Sequence, residues 1–253
     1  MLQTRVIPIL LLKDGGLYKG EQFKKHKYVG DPINAVKIFN DKEVDEICIL
    51  DIDASRSGTS PDFALIENIA SQAFMPLGYG GGVKSVDDIE RLFRIGIEKV
   101  VLNTAAYENQ GLIKAASDLV GSQSIVCSID VKKGLFGKEK AYIKSGTKSI
   151  KMSPVDLAKH YEQQGAGELI VNSIERDGKA TGYDLDLIQR ISKVVDIPIV
   201  AACGAGKNQH FVEAVKAGAS AVAAGDIFTF QGKRKAVLIT YPQYDKLQDL
   251  FKE

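Results

Sequence analysis

The chain of 253 residues has no tryptophan, only three methionines and three cysteines, and no excess of charge of either sign. The cysteines, Cys48, Cys127 and Cys203, are odd in number and far apart, and each lies in an apolar run. That pattern excludes a disulfide framework and a cysteine metal cluster, and buried reduced thiols are expected, with no metal and no cofactor. Lysine and arginine number 33 against 32 acidic residues. No large field therefore draws the protein to nucleic acid or to an anionic membrane, and any anion recognition must be local. Long hydrophobic runs are also lacking. Met1, Leu2, Gln3, Thr4 and Arg5 lead into a short apolar stretch that has no cleavage region and falls well below the roughly 20 residues of a membrane span. A reducing cytoplasm is the expected compartment.

What is present is an ordinary apolar fraction of 45% and charged fraction of 26%, enough for a sizeable core and against disorder. One domain over 1–253 is expected, since α/β barrels reach about 250 residues around a single core. Short β-rich runs at 6–12, 46–51, 75–79, 99–102, 124–130, 168–173, 197–202 and 219–224 alternate with segments of helical spacing. In 86–93, for example, the apolar residues Val86, Ile89, Leu92 and Phe93 fall on one helical stripe. Strand and helix in alternation imply parallel strands, and eight such units favour closure into a (βα)8 TIM barrel over an open sheet.

The two halves resemble each other. A shift of 122 residues carries Glu46 onto Glu168, Pro76 onto Pro198, Gly82 onto Gly204 and Gly96 onto Gly218. A constant offset through successive strand-helix units indicates a duplicated half-barrel, 1–122 and 123–253. The one long interruption, 131–151, follows strand five and reads as an exposed flap or hairpin over the strand C-termini.

Gly80, Gly81 and Gly82 close strand three, and Gly204, Ala205 and Gly206 close strand seven at the matching position. Glycine lets backbone N–H groups turn toward an anion, and the following helix adds its partly positive end. Asn103 and Thr104 end strand four as Gly225 and Asp226 end strand eight, so Gly81, Gly82, Asn103 and Thr104 face a second half-site at Gly204 and Gly225, with Gly178 adding a further N–H. Two opposed cradles suit a substrate with a phosphate at each end; tight turns are the alternative use of the same glycines. Asp226 weakens the symmetry, because a carboxylate repels phosphate unless it points away or is paired.

Asp130 ends strand five, where barrel enzymes place acids and bases. At a local offset of 119 its counterpart in the first half is Leu11. Asp51, Asp53 and Asp177 also lie near strand ends, where capping is the expected role. At the opposite end Arg5, Glu46, Lys99 and Glu168 open strands one, two, four and six. Charges there are costly unless paired, and two cations with two anions predict a salt-bridge ring across the barrel floor, serving as a plug or left as exposed strand ends.

Over nearly its whole length the chain resembles the HisF family, the cyclase subunits of imidazole glycerol phosphate synthase. The carriers are Arg5-Val6-Ile7-Pro8, Lys19-Gly20, 50–55 (LDIDAS), 80–83 (GGGV), 103–106 (NTAA), Ile129-Asp130, Arg176-Asp177-Gly178, 182–185 (GYDL) and 210–214 (HFVEA). The resemblance implies a HisH-like glutaminase docked under the N-terminal face and ammonia passing through the barrel. It makes Arg5, Glu46, Lys99 and Glu168 the gate of that passage and Asp130 one of two catalytic aspartates. The other aspartate position is Leu11. A leucine moves no proton, and loss of one partner of an acid-base pair commonly costs about 10²–10⁴-fold. Asp226 and Cys203 replace a small neutral residue and a glycine at the second cradle.

The stretches 228–232 (FTFQG) and 236–242 (AVLITYP) are similar to a paralogous branch, the glycosyl amidation-associated (WbuZ-like) proteins. That likeness implies a barrel that binds a phosphorylated small molecule and passes ammonia to a separate sugar amidotransferase for amidation of a nucleotide sugar in surface-glycan biosynthesis. A working cyclase of histidine biosynthesis and a non-catalytic scaffold that activates the glutaminase are the alternatives.

Overall fold

The computed structural model describes residues 4–134, 137–232 and 234–252. Residues 1–3 of the N-terminal run and 135–136 of the flap lie outside them. In chain order the strands of the main sheet are β1 (Arg5–Lys13), β2 (Gly16–Glu21), β3 (Lys24–Gly30), β4 (Ile47–Asp51), β5 (Leu77–Gly80), β6 (Lys99–Leu102), β7 (Ile125–Lys133), β8 (Glu139–Ile143), β9 (Lys148–Ser149), β10 (Glu168–Ser173), β11 (Ile199–Ala202) and β12 (Ala221–Ala224), and β13 (Phe230–Gln231) pairs with β14 (Ala236–Val237) in a separate two-stranded sheet. The helices are α1 (Pro32–Asn40), α2 (Ala54–Ser57), α3 (Phe63–Ala70), α4 (Val86–Arg94), α5 (Thr104–Glu108), α6 (Leu112–Val120), α7 (Pro154–Gln163), α8 (Leu185–Ser192), α9 (Gln209–Lys216), α10 (Asp226–Thr229) and α11 (Tyr244–Lys252).

Eight of the strands pair in parallel and in sequence, β1-β4-β5-β6-β7-β10-β11-β12, and β12 returns to β1 with Arg5 opposite Ala221. The sheet is therefore a closed (βα)8 barrel. Expected strands three and seven begin two residues late, after Pro76 and Pro198, because a proline offers no N–H to the ladder. Both prolines still accept at their carbonyls, from Ile47 N at 3.0 Å and Leu169 N at 2.9 Å.

The repeat extends to such details. Helices α3 and α8 have the same bounds after the 122-residue shift, as do β5 with β11 and β6 with β12. Gly81 (φ 117°) corresponds to Cys203 (φ 68°), so the cysteine occupies a left-handed backbone position that glycine takes in the other half.

Apolar side chains form two cores. One fills the space between strands and helices, and the other fills the barrel, with Ile7, Ile9, Val101, Val126, Ile170 and Val200 among its members. Each helix buries one stripe: α4 is held by a Ser85–Asp88 capping box and buries Ile89 and Leu92.

Two features stand above the barrel's C-terminal rim. The flap of 131–151 is a hairpin in which β7 extends and pairs antiparallel with β8, although Ala141, Ile143 and Ile150 are buried rather than exposed. The antiparallel pair β2–β3 was not expected from the sequence. Among the described residues no helix is long and apolar enough to cross a membrane.

Candidate functional site

The C-terminal ends of the strands surround a cavity of about 160 Å³. Its lining includes Asp130, Leu11, Gly81, Gly82, Asn103, Thr104, Gly178, Gly204 and Gly225, so these candidate residues share one mouth at the barrel's C-terminal end.

Across that mouth the two halves of the repeat differ in polarity. Leu11 pairs in register with Leu50, whereas Asp130 pairs with Asn172, the residue equivalent to Leu50. One wall is thus apolar and the other polar. Asp130 is buried, and its Oδ1 accepts from Ser128 Oγ at 3.1 Å and from Asn172 Nδ2 at 2.9 Å. Cys203 Sγ donates to Asn172 Oδ1 at 3.4 Å, which fixes the amide so that its NH2 faces the carboxylate. Cys48 and Cys127 are buried free thiols, as expected, but Cys203 is only half-buried and lines the mouth. Its place in the short Gly-rich turn after β11 takes it out of the apolar run.

Burial pushes the Asp130 carboxyl up to about 6, against the two hydrogen bonds that favour its charged form. A raised carboxyl pKa means that the folded protein binds the proton more tightly than the unfolded chain, so this group subtracts stability progressively as pH rises through about 4 to 6. Asp130→Asn is therefore expected to stabilise the protein at pH 8 by no more than about 3 kcal/mol, with the gain vanishing below about pH 4, as read from urea unfolding at several pH values.

Of the other carboxylates, Asp51 and Asp177 cap loops, as expected, whereas Asp53 makes no side-chain capping bond and instead pairs with Lys13 Nζ at 2.8 Å. Asp51 Oδ1 accepts from the N–H groups of Asp53 and Ala54 at 3.1 and 3.0 Å. Asp177 Oδ2 accepts from Phe23 N at 3.2 Å and so ties down the β2–β3 turn. Asn103 Nδ2 donates to Ser128 O at 3.0 Å, and Thr104 Oγ1 accepts from Lys144 N at 3.0 Å, which docks the flap on the rim.

At the second cradle, Lys19 occupies the space over Gly225: a Cβ on that glycine would stand 1.7 Å from Lys19 Nζ. The ammonium is buried, donates to Ile9 O at 2.7 Å, and feels the attraction of Asp226 and Asp177, while burial lowers its pKa. Asp226 also lies 3.7 Å from Lys235 Nζ, so its charge is compensated locally. Sequence reasoning passed over Lys19, Ser128 and Asn172 as site residues. The last two had a signal: polar residues that share the inward face of their strands with Asp130 and Glu168.

At the opposite end the four charges close into a ring. Lys99 Nζ lies 3.0 Å from Glu46 and 2.8 Å from Glu168, and Arg5 bonds the same two carboxylates, Glu46 at 2.5 Å. Both carboxylates are buried. Against the ring lies a small cavity bounded by Glu46, Lys99 and Glu168 and otherwise lined by mostly apolar residues such as Ile7, Cys48, Val126 and Ile170. Its volume of about 10 Å³ is at the threshold for one water-sized molecule. Ile9, Val101 and Ala223 border both this cavity and the mouth.

The family described as "Histidine biosynthesis protein" matches residues 5–235. The provisionally named imidazole glycerol phosphate synthase subunit hisF2 of Pseudomonas aeruginosa is 48% identical over 248 residues, covering 98% of this chain and 99% of its own. The provisionally named subunit HisF of Leptospira interrogans is 43% identical over 253 residues, with 99% and 100% covered. The imidazole glycerol phosphate synthase subunit HisF of Exiguobacterium sibiricum is 38% identical over 233 residues, with 90% and 91% covered.

Proposed function

The chain belongs to the histidine biosynthesis protein family, and from that premise we propose that it is a HisF-type subunit that takes ammonia from a HisH-like glutaminase on its N-terminal face. Ammonia passes the ring of Arg5, Glu46, Lys99 and Glu168 and crosses the apolar interior to the mouth. The observation that carries this reading is the pairing of that closed ring with a void the size of one small molecule, bordered by side chains that also border the mouth. Ammonia crosses such a lining as a neutral molecule. The apolar wall disfavours ammonium and holds ammonia in its reactive form.

At the mouth, the first cradle of Gly81, Gly82, Asn103 and Thr104 receives the phosphate of a small-molecule ligand. The second, at Gly204 and Gly225, is altered by Asp226 and filled by Lys19. With Leu11 opposite Asp130, ring closure has one proton-transferring carboxylate instead of two. The subunit then serves chiefly to deliver ammonia to an amidotransferase that modifies a nucleotide sugar for surface glycans, in the cytoplasm. A second reading, a working cyclase of histidine biosynthesis, is favoured by one observation: Asp130 is held at about 6, well suited to exchanging protons near neutral pH.

The test uses the complex with its glutaminase. Lys99→Ala is expected to lower glutamine-supported amination of the acceptor by about tenfold or more while leaving the rate with added ammonium salt within about twofold, because the ring is bypassed when ammonia enters from the mouth. Equal losses with both nitrogen sources would refute delivery through the barrel. Stimulated glutamine hydrolysis with no transfer to any acceptor would make the barrel a scaffold.

A further inference from the structure

We infer that His26, carried to the mouth by the β2–β3 hairpin, is an anion contact of the site, acting with Arg56 on the phosphate of the bound ligand. The inference rests on the reading that the first cradle takes a phosphate.

Four observations converge on it. His26 is the one residue among the first five of β3 that is not exposed, and it lines the mouth cavity. Its ring lies over Gly20, where a Cβ would stand 2.9 Å from Cδ2 and 3.3 Å from Nε2, so the bare backbone across the hairpin makes room for it. The charged groups that face the imidazole are Lys13 at the end of β1 and Asp53 and Arg56 beyond β4. Lys13 Nζ and Asp53 Oδ2 are 2.8 Å apart and offset each other, whereas Arg56 Nη1 reaches Asp53 Oδ1 only at 3.9 Å and is half exposed. Lastly, Arg56 adjoins Ser55, whose Oγ lies 3.5 Å from Gly82 N, so imidazole, guanidinium, hydroxyl and cradle follow one side of the mouth.

Partial burial, with help from Lys13 and Arg56, lowers the imidazole pKa and favours the neutral ring. A dianion placed against the ring reverses that balance, so binding takes up a proton at His26 and tightens as pH falls. The hairpin thereby supplies a titratable group on the side of the mouth where Leu11 offers none. Its target class is an oxyanion monoester or its free anion.

The test is an NMR titration of the imidazole signals in the full-length protein, with and without sulfate, whose charge is constant over the range, and again with inorganic phosphate. His160, half-buried on α7 and absent from the mouth lining, is the internal reference. Saturating sulfate is expected to raise the His26 midpoint by about one pH unit and to leave His160 unchanged. His26→Asn is expected to weaken sulfate binding about tenfold at pH 6 and little at pH 8. The wild-type titration decides the matter even if the variant folds poorly. Saturable anion binding with an unmoved His26 midpoint, or equal shifts at His26 and His160, overturns the inference and leaves the cradle reading standing. Absence of saturable binding by either anion overturns both.

Discussion

Leu11→Asp is expected to raise the ammonia-dependent ring-closing rate of this barrel by about 10²-fold or more, the usual contribution of a positioned acid or base. The position is suited to it. Leu11 ends the inward face of β1 as Asp130 ends that of β7, and their register partners, Leu50 and Asn172, are equivalent in the repeat. A carboxylate at 11 would therefore face the same cavity as Asp130. Ring closure after ammonia addition moves protons on both sides of the reacting carbon, and a single carboxylate must otherwise serve both, or leave one transfer to water. The new group would sit beside Leu50 and Ile9, where burial raises its pKa and holds part of it protonated near neutral pH, as an acid must be. Steady-state assay with an ammonium salt and the two-phosphate substrate reads the gain. If the variant folds and binds that substrate yet gains nothing, Leu11 is not what limits the chemistry, and the altered second cradle becomes the cause to examine.

Arg5→Met is expected to destabilise the barrel by about 4 kcal/mol in urea unfolding, because it breaks a largely buried ion network and leaves carboxylates short of a partner. Arg5 reaches both Glu46 and Glu168, and Lys99 reaches the same two. Two cations against two anions is a neutral set; one cation against two buried anions is not. Methionine restores the apolar stem of arginine without its charge, so the loss reports on pairing rather than on a void. Adding Glu168→Gln to Arg5→Met should recover about half of the loss, since one cation then faces one anion. A change below about 1 kcal/mol would show that water reaches the ring freely and screens it. The same network bears on the proposed delivery: a floor whose four charges are held in a closed ring can admit a small neutral molecule only by an ordered shift of one of them, and Lys99, which bridges both carboxylates, is the side chain tested above.

Much of the architecture is local in origin and was therefore readable. Apolar runs of four to seven residues and the helical stripe at 86–93 are properties of neighbouring residues; eight alternations of strand and helix implied the closed barrel, and the fixed offset implied its duplicated halves. The salt-bridge ring was legible for a similar reason: a charge at the foot of a buried strand has few ways to be satisfied. The β2–β3 hairpin was not legible. Its residues 16–30 are mostly polar, and its turn lacks the usual Asn-Gly or Asp-Gly signal, with Gln22 and Phe23 taking φ values of 53° and 59°. Without that hairpin neither His26 nor Lys19 could be assigned to the mouth.

Sequence alone determined the parallel barrel, its duplicated halves and the place of Leu11 as the repeat counterpart of Asp130, since each follows from residue type and spacing along successive strand-helix units. Only the tertiary structure decided which groups meet: that Ser128, Asn172 and Cys203 gather around Asp130, that Lys19 fills the space over Gly225, and that His26 and Arg56 line one cavity. Those meetings depend on the register between strands dozens of residues apart and on how two hairpins fold back over the rim. Distances of that kind are set by closure of the sheet, not by any stretch of chain short enough to show them in its pattern.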